Sequence, residues 1–356
     1  MTVQPPAGMV TTRLADLDDP GECGRLRDFV DEHPDGTPFH LPQWSAAIER
    51  GCGQRAHYLI AEHHGKMAGV LPLTEMRSPL FGNAMVSAGF AVGGGALVRD
   101  AAALEPLVLA GWALAEDAGC GTMALRGGPC PGAQWHADSE SYLGFVAALA
   151  GDDAAQLAAI PRKQRAEVRK ALNGDLTVDF GRERALRRDH YAVYAESVRN
   201  LGTPVFPRAL FDAVLDAFDD ASDILVVRSD HRPVAAVLSL YWRGCVYPYW
   251  GGGVHAARAL RANDRMYYAL MCHARRKACD RFDFGRSKVG TGPAAFKKNW
   301  GFTPEPLTYW ARASDGGEPR KINPLSPKYR LQVAAWKKLP LWLANRIGPP
   351  IAKGLG

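Results

Sequence analysis

The chain has 356 residues, 47% of them hydrophobic and 22% charged, which suffices for substantial cores and for two domains. Its formal net charge of +6 is a mild excess of base, compatible with phosphate-bearing or anionic-surface partners without marking a dedicated nucleic-acid binder. Seven cysteines, Cys23, Cys52, Cys120, Cys130, Cys245, Cys272 and Cys279, form no CxxC pair and no Cys/His zinc spacing, as expected of reduced thiols in the cytoplasm.

The first residues show no basic run followed by an apolar stretch, so no secretory signal is read there. Nowhere do eighteen apolar residues run together, which argues against a membrane span. LIAEHHGKMAGVLPL (59 to 73) reads as a β-hairpin, two apolar runs about a polar turn containing glycine. VVRSDHRPVAAVLSL (226 to 240) repeats it, matching Ala68 with Ala235, Val70 with Val237, Leu71 with Leu238 and Leu73 with Leu240. A glycine triplet follows each, Gly93 to Gly95 and Gly251 to Gly253, at an offset of 251 − 93 = 158. With that offset kept to within one residue, ALEPLVLAGWALAEDAG falls opposite ANDRMYYALMCHARRKA, and at 158 Gly127 meets Gly285. Both segments have helical spacing. In the second, Met266, Leu270 and Ala274 share a face, and Asn263 and Asp264 suit its start. The shared order of hairpin, glycine-ended strand, helix and strand predicts a duplication, with two α/β domains of roughly 150 residues each.

Between the repeats, DDAAQLAAIPRKQRAEVRKALNGDL (152 to 176) predicts a helix beginning near Pro161. Val168 and Leu172 recur four apart, while Arg162, Lys163, Arg165, Arg169 and Lys170 crowd the remaining surface. A solvated basic face, a phosphate-binding helix at the domain junction and a nucleic-acid surface all stay open here.

The chain has no GxSxG elbow, no HExxH, no GxxxxGK[ST] and no GxGxxG between strand and helix. Its ten histidines are scattered and only His63 and His64 adjoin, in a predicted turn, so no metal site is expected. What remains is RFDFGRSKVGTGPAAFKKNWGF (281 to 302). FDF alternates like a strand, Gly285 ends it, and the stretch beyond supplies Arg286, Lys288, Lys297 and Lys298 among glycines. Cations gathered at a strand's end suit phosphate binding or stabilisation of a developing oxyanion.

YPYWGGG, NDRMYYALMCHARRKACDRFDFG and GPAAFKKNWGF together resemble the C-terminal half of FemAB-like proteins. That pattern is an aromatic strand, here with Tyr249 and Trp250, then a helix, a strand ending in Asp283, Phe284 and Gly285, and the series Phe296, Lys297, Trp300, Gly301. PRKQRAEVRKA is similar to the basic helix before the family's second domain, and FHLPQW (39 to 44) to its N-terminal aromatic motif. The tail is similar to that of the subgroup associated with exosortase and PEP-CTERM systems, so the likeness spans nearly the whole chain.

The resemblance implies an α/β fold of two tandem acetyltransferase-like (GNAT) domains with mixed sheets flanked by helices. Expected boundaries are 1–150 for the first domain, 151–176 for the basic connection, 177–320 for the second domain and 321–356 for the tail. It implies a transferase that moves an aminoacyl or acyl group from an activated carrier, aminoacyl-tRNA or acyl-CoA, with no bound cofactor. The acceptor would be an amine of a cell-envelope precursor, peptidoglycan or exopolysaccharide. Carried over by position, Lys297 matches the lysine proposed to hold the scissile carbonyl oxygen, and Phe296 is its neighbour. Arg165, Arg169, Arg286, Lys288, Tyr249 and Trp250 are the expected substrate-binding residues, and Asp283 is a candidate general base. Two departures stand out. After the strand at 245 to 250 there is no Arg/Gln-x-x-Gly-x-Gly/Ala pyrophosphate loop, and no long coiled-coil insertion separates the halves.

The tail combines Trp336, Leu339, Leu341, Trp342, Leu343 and Ile347 with Arg330, Lys337, Lys338, Arg346 and Lys353. Pro340 limits it to two short helices, which either pack on the second domain or anchor peripherally at the inner membrane. Two further readings stay open: an acyl-CoA-dependent N-acyltransferase acting on a small amine, and a non-catalytic polyanion-binding or export-accessory protein.

Overall fold

The structure, a computed structural model, describes residues 9–314, 317 and 327–356. The first eight residues, the boundary expected near residue 320 and the Arg330 side chain lie outside the described residues. In chain order the elements are β1 (Thr11–Leu14), α1 (Pro20–Glu32), α2 (Pro42–Cys52), β2 (Arg55–His63), β3 (Lys66–Met76), β4 (Ala84–Ser87), β5 (Leu97–Val98), α3 (Leu104–Asp117), β6 (Thr122–Arg126) and β7 (His136–Asp138). There follow β8 (Tyr142–Ala148), α4 (Asp153–Ala159), α5 (Arg162–Leu172), β9 (Thr177–Gly181), α6 (Arg184–Leu201), α7 (Arg208–Phe218), β10 (Ser222–Ser229), β11 (Arg232–Trp242) and β12 (Cys245–Gly253). The chain continues with α8 (Ala257–Leu260), α9 (Ala262–Arg276), β13 (Arg281–Asp283), β14 (Ser287–Lys288), α10 (Gly292–Asn299), β15 (Pro304–Pro306), β16 (Tyr309–Ala313), α11 (Pro327–Trp336) and α12 (Leu341–Ala352).

These elements form two units. One takes the chain up to Ser139, the stretch from Thr308 that holds β16, and Lys353–Gly356; the other takes Glu140–Leu307 with α11 and α12. The sheet of the first runs β1-β2-β3-β4-β6-β16-β7, and that of the second runs β9-β10-β11-β12-β13-β8-β14, with β15 also on β8. The two main orders correspond strand for strand, and the sheets differ in their eighth strand, β5 on β3 in the first and β15 on β8 in the second. The place beside β6 is filled by β16, antiparallel from Tyr309↔Arg126 to Ala313↔Thr122. The place beside β13 is filled by β8, antiparallel from Arg281↔Ala148 to Asp283↔Val146. Each of these strands lies in sequence beyond the other unit's repeat, so the chain exchanges them. The boundary expected at residue 150 therefore falls within the second unit, after β8.

The two hairpins share even their irregularity. β2 and β3 close at His63↔Lys66 with a bulge between Ala61 and Glu62, and β10 and β11 close at Ser229↔Arg232 with a bulge between Val227 and Arg228. The structural offset is 229 − 63 = 166, one less than the side-chain match of Leu59 to Val226 suggests. A slip of one residue exchanges the two faces of a strand, so apolar identity in strands buried on both sides cannot fix register. The glycine triplets are not equivalent. Gly251 to Gly253 end β12 in the ladder with Val237, Ala236 and Ala235, whereas Gly93 to Gly95 lie outside any strand, ahead of β5. The helices do match at 158, since 262 − 104 = 158.

The expected stripe on α9 is the one it buries. Met266, Leu270 and Ala274 have no exposed surface and pack with Val237, Val246 and Phe282 in the second unit's core. Burying side chains as large as methionine and leucine stabilises by about 1.5–3 kcal/mol each. In the first unit Leu107, Val108 and Trp112 of α3 pack with Leu71, Leu73, Met85 and Met123. Between the units' repeats, α5 begins one residue after Pro161, as the sequence predicts, and buries Val168. Among the described residues no helix is long and apolar enough to cross a membrane.

Candidate active site

In each unit two central parallel strands part. β4 and β6 pair at Met85↔Met123 and Val86↔Ala124, and β12 and β13 at Cys245↔Arg281 and Val246↔Phe282. In the first unit the chain itself occupies the divergence. Ser87 Oγ accepts from the Arg126 N–H (2.8 Å), the Gly95 N–H donates to the Arg126 carbonyl (3.0 Å), and the Arg126 guanidinium donates to the carbonyls of Ala88 and Ala91. A Cβ on Gly95 would lie 2.2 Å from the Gly127 carbonyl oxygen, so glycine is required for that closure. In the second unit β12 instead continues as a strand to Gly253. Pro248 stands opposite Ser239 and Trp250 opposite Leu238, which leaves Tyr249 as the extra residue of a bulge. On the other side, the Phe284 N–H turns to the Phe145 carbonyl on β8 (2.8 Å).

At the end of β13, Gly285 takes a left-handed backbone (φ 67°) and the chain folds back through β14 into α10. The glycine-rich stretch beyond Gly285 is thus partly helical, and its two adjacent lysines fall on different sides. Ala294 and Lys297, three apart, face inward, while Lys298 is exposed. The Lys297 ammonium donates to the carbonyls of Gly285 (3.0 Å) and Arg286 (2.9 Å) and lies 5.3 and 5.4 Å from the centres of the Phe145 and Phe284 rings. Two of its three N–H groups are thereby used, and the third can serve a ligand oxygen. Burial lowers its pKa from 10.5 to about 8, against the pull of nearby Asp283. Burial raises the Asp283 carboxyl, whose Oδ1 accepts from the Gly285 N–H (2.8 Å). One lobe of that carboxylate therefore holds the turn on which Lys297 rests.

The other expected residues are placed around this point unevenly. Arg286 and Lys288 lie over the ring of Tyr142 at 4.9 and 5.9 Å. Phe296 packs in an aromatic cluster with Tyr267, Phe284 and Trp300. Tyr249 is half-buried on the bulge, its ring edge-on to Trp250. Trp250 is core, 4% exposed against Phe211, with its carbonyl accepting from His190 Nε2 (2.7 Å). Arg165 caps α4, donating to the Ala158 carbonyl (2.7 Å), and Arg169 is exposed on α5. α5 starts beside the site: Gly301 (φ 92°), just past α10, would place a Cβ 3.1 Å from the ring of Pro161. Phe145 and Tyr142 escaped sequence reasoning because they lie on the exchanged strand, with no local pattern tying them to residue 297.

The start of α9, where a pyrophosphate loop would stand, is already engaged. Asp264 in its first turn accepts from Gln164 Nε2, and Glu167 of α5 pairs with Arg261. The N–H groups of Asp264 and Arg265 both go to the Arg261 carbonyl. Burial pushes the Asp264 carboxyl up to about 6. This helix start therefore presents an acid and few unused donors.

Residues 161–298 match the family model described as Acetyltransferase (GNAT) domain. No curated protein matches the chain in sequence. Among solved structures, FemX is similar over 84% of this chain and 96% of its own, at 15% identity and a TM-score of 0.66. A tandem GNAT protein from the clavulanic acid biosynthesis pathway is similar over 87% and 100%, at 10% identity and a TM-score of 0.58. The C-terminal domain of a putative lysylphosphatidylglycerol synthetase from Agrobacterium fabrum is similar over 82% and 92%, at 14% identity and a TM-score of 0.54. The fold is that of two tandem GNAT-like α/β units, each a mixed sheet flanked by helices.

Proposed function

We propose that the chain is an aminoacyl- or acyltransferase of FemAB type, which moves the acyl group of an activated carrier onto an amine of a cell-envelope or exopolysaccharide precursor. The observation that carries this reading is the buried Lys297 ammonium, fixed by two backbone carbonyls with one N–H left over where β12 and β13 diverge. When an amine attacks the carrier's ester carbonyl, negative charge gathers on that oxygen. A preorganised ammonium in a partly dry site stabilises this charge more in the transition state than in the ground state. Asp283 is the candidate to take the proton the amine sheds, and Arg286 and Lys288 are the nearby cations for a phosphate-bearing substrate.

Between the two carriers, the start of α9 favours aminoacyl-tRNA. Asp264 puts a carboxylate where the pyrophosphate of acyl-CoA would need donors, and Glu167 ties up the Arg261 guanidinium beside it. Acyl-CoA remains the second reading, supported by the acetyltransferase model matched at 161–298. The test offers wild type and Lys297→Met bulk tRNA charged with labelled amino acids and, separately, acyl-CoA, with an amine-bearing precursor pool. Consumption of the charged tRNA by wild type alone, abolished by ribonuclease, is the expected result. Consumption of acyl-CoA alone would install the second reading. If neither carrier turns over, or the variant equals wild type, the transferase reading fails.

A further inference from the structure

The two C-terminal helices divide their side chains between an inner and an outer face. On α12, Ala344, Gly348 and Ala352 recur every four residues and are buried, so the helix lies close on the second unit. A Cβ added at Gly348 would come within 3.2 Å of the Val205 backbone nitrogen. At Gly202, just past α6, an added Cβ would lie 2.5 Å from Val333 of α11, and Arg199 donates to the Lys337 carbonyl (3.2 Å). That packing consumes the inner face. Outward stand Leu331 (82% exposed), Trp342 (69%) and Ile347 (37%), interspersed with exposed Lys337, Lys338 and Arg346. Residues 331–352 contain no Asp or Glu.

We propose that this outer face docks on an anionic phospholipid bilayer. Trp342, Leu331 and Ile347 enter the headgroup boundary, and Lys337, Lys338 and Arg346 lie over lipid phosphates. The inference goes beyond the transfer reading and does not depend on it. Cations in a segment that carries no acid of its own complement an anionic surface, and tryptophan with aliphatic side chains beside them suits the interface between headgroups and acyl chains. RNA would reward the cations and the indole but not exposed leucine and isoleucine. With no described helix able to span, contact in the plane of the interface is the geometry available.

The test is co-sedimentation of the full chain with vesicles of phosphatidylcholine alone or of equal parts phosphatidylcholine and phosphatidylglycerol. Wild type should sediment with the anionic vesicles only and be released by salt. Lys337→Glu with Lys338→Glu, and Trp342→Ser, should each weaken partitioning by about tenfold or more. Leu109→Ser, at an exposed apolar position of the first unit, should change nothing. Because all the substituted side chains are solvent-exposed, unchanged thermal melts would show that the variants fold. Lys297→Met should retain vesicle binding, and the tail variants should retain turnover of a soluble donor, which separates this proposal from the transfer reading. Absent binding, equal binding to neutral vesicles, or variants that bind like wild type would overturn it. So would variants that lose binding to uncharged tRNA while still binding vesicles.

Discussion

At the scale of the residue, the Lys297 ammonium is held by the carbonyls of Gly285 and Arg286, beside the rings of Phe145 and Phe284. The series Phe296, Lys297, Trp300, Gly301 singles the lysine out by position, but Phe145 beside it, and Tyr142 beneath Arg286 and Lys288, come from a strand about 150 residues earlier. The same surroundings set a pH dependence. A lysine needed as an ammonium with a pKa of about 8 loses function as pH rises through that value, so kcat/KM should fall above about pH 8. Lys297→Arg should abolish that fall whatever activity it leaves, because guanidinium stays charged. Lys297→Met should lower kcat/KM by about 10²–10³, the usual loss for one oxyanion donor. Stability runs the other way. The folded state binds fewer protons than the unfolded one between about 8 and 10.5, so this group makes wild type gain stability with rising pH there. Lys297→Met, lacking the group, should lose that gain in thermal melts recorded across the window. A kcat/KM profile of wild type flat from pH 7 to 9 would refute the assigned role.

At the scale of the element, hairpins and helices were legible because their apolar runs and stripes are local. α10 was not, because GPAAFKKN is eight residues long with no side-chain cap, and it holds by the contacts of Ala294 and Lys297. The start of α9 yields a further prediction. Burial raises the Asp264 carboxyl from 3.8 to about 6, so the folded state holds its proton more tightly than the unfolded one and this group's contribution declines as pH rises from about 4 to 6. Asp264→Asn keeps an oxygen for Gln164 and removes the charge. It should stabilise the protein at pH 7 by about 1–2 kcal/mol, allowing for partial solvation, with little gain at pH 4. The same substitution tests the choice of carrier. If it confers measurable acyl-CoA binding, the acid is what turns that donor away; if CoA binds wild type equally, Asp264 excludes nothing.

At the scale of the whole molecule, duplication could be read from the order of elements, but the exchange of β8 and β16 could not. Both are short strands whose partners are set by topology, and nothing in YLGFVAA or YWARA names the sheet it joins. The exchange makes the repeats covalently interdependent, which fixes how the chain tolerates cutting. A fragment ending at residue 150 keeps β6 and β7 but lacks β16, the strand that pairs with both. It leaves the long edge of β6 unpaired, a template for aggregation. A fragment beginning at 151 loses β8, which pairs with β13, β14 and β15 and carries Phe145 against Lys297. Neither should melt cooperatively. Moving the cut to 140 restores β8, and a fragment of residues 140–352 should recover a single thermal transition that the 151–356 fragment lacks. Joining residues 308–314 through a flexible Gly/Ser linker to the 1–139 fragment should likewise reduce its aggregation and its proteolysis. If 151–356 instead melts as sharply as 140–352, β8 is dispensable to the second sheet and the pairing of Phe282 with Ala147 contributes little to the fold.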